Sequence, residues 1–144
     1  MINRLQLSNM KYSFLFLLFI AFQGFAQEPD YSSVPDDFKL TDKQYSAWKS
    51  IYNQWLVNDY ETIQFENKIK MNCKSCTAFY MDVVIKVNAS GKLEYYKAID
   101  GKKCGVGFTK QLEQRMMKNF LKFEFPPELR NLEFKTRLGT SLKC

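Results

Sequence analysis

The sequence predicts an α+β domain whose elements run helix–strand–strand–helix–strand. Three observations carry this reading. Aromatic residues recur at helical spacing behind a capping pattern at Thr41, a period-two alternation begins at Thr77, and a second alternating run follows Pro126 and Pro127.

The N-terminus comes before any of these elements. Arg4 and Lys11 precede an apolar run from Phe14 to Phe22, and Gly24 and Ala26 place small residues just before Gln27. Basic, apolar and small-residue regions in that order make residues 1–26 a secretory signal peptide. The run is shorter than the roughly 20 apolar residues of a membrane span, and an uncleaved anchor is the alternative. No cysteine near the cut offers a lipid attachment point. The expected mature chain is periplasmic or secreted, and its 118 residues make one domain. It carries 19 basic and 15 acidic side chains, a net charge of +4. That is a solvated surface, tolerant of anionic partners and of peripheral membrane contact. With no arginine-rich block, nucleic acid is not an expected partner.

Composition removes several kinds of chemistry. The chain has no histidine. Hydrolysis with a histidine base and histidine-bearing zinc sites are therefore excluded. Asp36 and Asp37 are a carboxylate pair in a proline-flanked stretch, read as solvating a linker. "GKKCGVG", Gly101 to Gly107, is only loosely like a phosphate loop, because no Lys-Ser or Lys-Thr closes it. No residue set supports an enzyme, so no catalytic residue and no cofactor is assigned.

The elements follow in order. Residues 27–40 hold two prolines and read as a leader or linker. Thr41 opens a helix with Gln44 three residues on, a capping box. Tyr45, Trp48, Ile51, Tyr52 and Trp55 then form one stripe to about Leu56. Such a stripe is a carbohydrate or peptide platform in some proteins, but a face packed on a sheet is the commoner outcome. Residues 41–76 comprise this helix and a connecting segment, of which 58–71 read as a strand.

From residue 77 Phe79, Met81, Val83, Ile85 and Val87 alternate with Ala78, Tyr80, Asp82, Val84 and Lys86, a half-buried strand. "NASGK" ends it in a tight turn at Gly91, and Asn88-Ala89-Ser90 also fits a glycosylation sequon. A second strand runs from Lys92 to about Ile99. Phe108, Leu112, Met116 and Phe120 then recur every fourth residue as a helix, stopped by Pro126 and Pro127. The last strand places Leu132, Phe134, Leu138 and Leu142 on one face and Glu133, Lys135, Arg137 and Lys143 on the other.

"VVIKVNASGKLEYYKAID" resembles the hairpin of TonB C-terminal domains. "MMKNFLKFEFPPEL" resembles the end of that family's helix and its aromatic-x-Phe-Pro-Pro signature, here Phe123, Phe125, Pro126 and Pro127. The similarity covers residues 77–144. It implies a three-stranded antiparallel sheet in the order strand two, strand one, strand three, with a helix packed on one face. It also implies a non-enzymatic envelope module linked to transmembrane transport. Its partner would be a protein or peptide such as an outer-membrane receptor segment, added as a strand along the edge that bears Glu133, Lys135 and Arg137. Charged edge positions are equally a guard against accidental pairing.

The same resemblance brings Cys73, Cys76, Cys104 and Cys144 to one end of the sheet. Two structural disulfides suit an oxidising compartment, with Cys73 and Cys76 each pairing outward, one to Cys104 and one to Cys144. Which takes which stays open. "MNCKSC" is also similar to the M-x-C-x-x-C of heavy-metal-binding domains. A thiol-based or zinc- or copper-binding protein is therefore the alternative function, although no metal ligand is assigned. A redox dithiol at a helix N-terminus is disfavoured, because a strand follows the second cysteine.

Overall fold

Thr41 starts the first helix through its capping box. Its Oγ1 accepts from the Gln44 N–H (3.4 Å), and Gln44 Oε1 accepts from the Thr41 N–H (3.0 Å). The computed structural model describes residues 30–144, so the expected signal peptide, residues 1–26, lies outside the described residues. Helix α1, Asp42–Trp55, buries Trp48, Ile51 and Trp55. It does not end there. A π-helical turn, Leu56–Tyr60, carries it straight into α2, Glu61–Glu66.

This corrects the strand expected over residues 58–71. The buried apolar positions are Trp48, Ile51, Trp55, Tyr60 and Ile63, and Tyr60 comes five positions after Trp55. A regular α-helix would rotate Tyr60 out of the stripe. The wider π turn absorbs the extra residue and returns Tyr60 to the core.

Strands β1, Ala78–Val87, β2, Leu93–Lys103, β3, Val106–Gly107, and β4, Glu133–Ser141, form one antiparallel sheet in the order β3-β2-β1-β4. Four strands replace the three expected. β2 also runs past Ile99, because a register shift opposite Asp82/Val83 moves the alternation by one residue. Cys104 (φ 51°) and Gly105 (φ 87°) then turn the chain back, so Val106 and Gly107 pair with Lys103 and Lys102.

Helix α3, Lys110–Met117, is shorter than the four-residue repeat suggested. Thr109 Oγ1 accepts from the Leu112 N–H (3.2 Å) and caps it, which leaves Phe108 outside, stacked on Phe79 at 5.8 Å. Phe120 follows in a 3-10 turn, Phe120–Lys122, and is still fully buried. A further 3-10 turn, Pro127–Leu129, leads into β4.

All the helices pack on one sheet face, making this an α+β fold. Phe79, Met81, Val83, Ile85 and Val87 have no exposed surface there and meet Trp55, Met116, Phe120 and Phe134. Leu142 lies beyond β4 and is 40% exposed, as is Tyr45, so neither joins the core. Residues 31–144 form one compact unit, with the leader from Tyr31 included. No helix among the described residues is long and apolar enough to cross a membrane.

Candidate functional site: the outer edge of β4

Strand β4 is an edge, and its hydrogen-bond directions follow from two contacts. Leu142 N–H donates to Thr77 O (2.7 Å), and Val87 N–H donates to Leu132 O (2.9 Å). In an antiparallel ladder, even-numbered residues of β4 therefore direct their main-chain groups to β1, and odd-numbered ones direct theirs outward. The outward Lys135 N–H is already taken, by Pro35 O at 2.8 Å. Asp36 pairs with Lys135 as a one-residue parallel bridge.

Residues 35–37 thus lie along β4 as a short added strand, not as a free linker. Their side chains alternate with the pleat. The Asp36 carboxylate sits 3.6 Å from Lys135 Nζ on the open side of the sheet. Asp37 Oδ2 accepts from Thr136 Oγ1 (2.6 Å) on the helical side, and Thr136 Oγ1 in turn accepts from Trp48 Nε1 (3.2 Å). Asp36 and Asp37 anchor the leader to the domain, which corrects their reading as solvating residues.

The three charged positions expected on this edge have different surroundings. Glu133 accepts from the Tyr95 hydroxyl across the open face. Desolvation, reinforced by that carboxylate, pushes Tyr95 up to about 12. Lys135 meets the leader. Arg137 forms a two-pronged pair with Asp82 (2.7 and 2.8 Å) and stacks 3.7 Å over the Tyr80 ring. The Asp82 carboxylate holds the Arg137 guanidinium above its ordinary range. Only Lys135 therefore engages the docked segment through both main chain and side chain.

The far end of β4 is shaped by two tyrosine hydroxyls. Phe79 and Thr140 are register partners, yet Tyr60 Oη stands between them, donating to Phe79 O (2.7 Å) and accepting from the Thr140 N–H (3.0 Å). Tyr52 Oη donates to the outward Gly139 O (2.9 Å). Gly139 has φ +106°, and a Cβ there would lie 2.4 Å from Phe79 O, so no larger residue fits this wedge. Between the leader and this end lies a hollow of about 270 Å³, walled by Tyr45, Trp48, Lys49, Tyr52 and Arg137. It opens on the outward side of β4, where no strand among the described residues pairs with Arg137 beyond β1.

The cysteine cluster is structural. Cys73 bonds Cys144 and Cys76 bonds Cys104, so the chain has two disulfides and no bond inside C-x-x-C. Disulfides fit an oxidising, exported location. No described cysteine is free, and no group of three or more acidic or cysteine side chains among the described residues is arranged to hold a metal.

Thr136, Trp48, Tyr52 and Tyr60 were not legible as site residues. Their roles depend on contacts between distant positions, such as Tyr60 and Thr140, 80 apart, Tyr52 and Gly139, 87 apart, and Trp48 and Thr136, 88 apart. No family model, curated protein or solved structure matches this chain.

Proposed function

We propose that this chain is a non-enzymatic binding module of the bacterial periplasm, related in build to TonB C-terminal domains. It captures an extended segment of an envelope protein by strand addition along β4. An outer-membrane receptor is the partner that the resemblance implies. The observation supporting this reading is the docked leader: the outer side of β4 already accepts an extended segment in parallel register. The thiol or metal reading loses its ligands, because all four sulfurs are bonded in pairs.

The test uses a photo-crosslinking residue at Arg137, with Glu94 on β2 as the comparison position. Envelope fractions should give a defined protein adduct from position 137 that is absent from position 94. Lys135→Pro removes an outward donor and should abolish that adduct while the fold persists. An adduct that survives Lys135→Pro, or forms equally at Glu94, means that β4 is only guarded.

A further inference from the structure

Taking strand capture at β4 as the starting point, the leader carries more information than its position. Its bound residues are an internal ligand, and their contacts spell out what the edge recognises. Asp36 stands opposite Lys135 on the open side, at 3.6 Å from its ammonium. Asp37, one residue on, points to the helical side and takes the Thr136 hydroxyl, itself held by Trp48. The strand alternation continues predictably from there. A third ligand residue would lie opposite Arg137, and a fourth would point to the helical side, into the hollow between Tyr45, Trp48 and Tyr52.

Of the leader, only Asp37 borders that hollow. At Asp37 it leaves the edge in a 3-10 turn, Asp37–Lys39, and Phe38 swings out to 72% exposure. Position 39, which the alternation would aim at the hollow, is a lysine that does not line it. Of the contacts that an extended segment could make here, the leader makes the first half.

We infer that residues 35–37 are a self-ligand that competes for β4, standing in for a protein partner's extended acidic segment. That segment has two consecutive carboxylates and, two residues after the second, an aromatic or large apolar side chain. The Lys135 ammonium and the Thr136 hydroxyl select the acids, and the Tyr45–Trp48–Tyr52 hollow selects the anchor. The partner gains affinity over the leader by filling the hollow, so displacement needs no rearrangement of the sheet.

The probe is a labelled synthetic peptide, residues 31–39 of this chain, and a second version with tryptophan in the Lys39 position. Fluorescence anisotropy is read with the whole chain and with its Asp36→Ala/Asp37→Ala variant, whose leader is loosened. Freeing the edge should tighten binding of either peptide by at least about tenfold, since apparent affinity scales with the competent fraction. The tryptophan version should bind more tightly than the parent, and Lys135→Glu in the loosened chain should abolish both. Equal affinity for both chains overturns self-competition and leaves strand capture standing. No binding to either chain, with no adduct at position 137, overturns both.

Hydrogen exchange in the unaltered chain gives a check that needs no variant. The Lys135 amide should exchange at least about a hundredfold faster than those of Thr136 and Leu138, because it is protected only by a locally opening leader. Exchange of Lys135 as slow as theirs makes the leader a permanent part of the sheet and overturns the inference. So does a dimer that falls apart on Asp36→Ala/Asp37→Ala, because the leader would then serve a second copy.

Discussion

The Tyr60 hydroxyl stands where a main-chain rung would otherwise join Phe79 to Thr140. Tyr60→Phe leaves a buried carbonyl and a half-buried N–H without the hydroxyl that joins them, at a cost of about 1–3 kcal/mol in urea unfolding. Burial raises Tyr60 above 10.0, and burial likewise raises Tyr52, against the opposing effect of its bond to Gly139. The unfolded phenols therefore ionise first. Stability should be intact below pH 10.0 and fall as pH climbs through that value toward the folded-state range. The fall should be shallower in Tyr60→Phe, and an unchanged alkaline slope would show that Tyr60 is not its source. Trp48 joins packing to polar contact. It is 2% exposed, meets Phe134 edge-on at 5.1 Å, and holds Thr136. Trp48→Ala should destabilise by about 3–5 kcal/mol. A loss below about 1 kcal/mol would fit an exposed binding stripe instead.

At the scale of elements, β4 has two unlike sides, and proline distinguishes them. Thr136 directs its N–H to β1, so Thr136→Pro breaks a rung inside the sheet and should unfold the chain or cost about 3 kcal/mol or more. Lys135→Pro removes the donor that holds Pro35 and the ammonium beside Asp36, neither of them a contact to β1, and its melting temperature should stay close to that of the parent. Similar losses at both positions would contradict the hydrogen-bond directions assigned to β4. The helical segment Asp42–Glu66 shows why an element can be hidden from pattern reading. Trp55 and Tyr60 are both core residues, but their five-residue separation fits neither an α-helical nor a strand period. The same holds for β2, whose register shift inverts the alternation beyond Ala98.

For the molecule as a whole, the two disulfides staple one end of the sheet. Cys73–Cys144 closes 71 residues and Cys76–Cys104 closes 28. By loop-closure entropy, the first should contribute about 4–5 kcal/mol and the second about 3–4 kcal/mol. Paired Cys→Ser variants in denaturant unfolding measure each. A larger loss from the Cys76–Cys104 pair would mean that packing around buried Cys76, not chain entropy, sets the order.

Local chemistry was enough for the helix at Thr41, the turn at Gly91 and the half-buried alternation of β1. Each depends on neighbours within a few residues, or on a periodicity that a single face imposes. The fourth strand, the π turn and the docked leader were not legible in this way. Val106 and Gly107 are a strand only because a two-residue turn lays them on Lys102 and Lys103. Asp36 and Asp37 look like any solvated pair until Lys135 and Thr136, 99 residues further along, are folded against them. The site at β4 is a meeting of distant segments, and a linear pattern has no period that marks such a meeting.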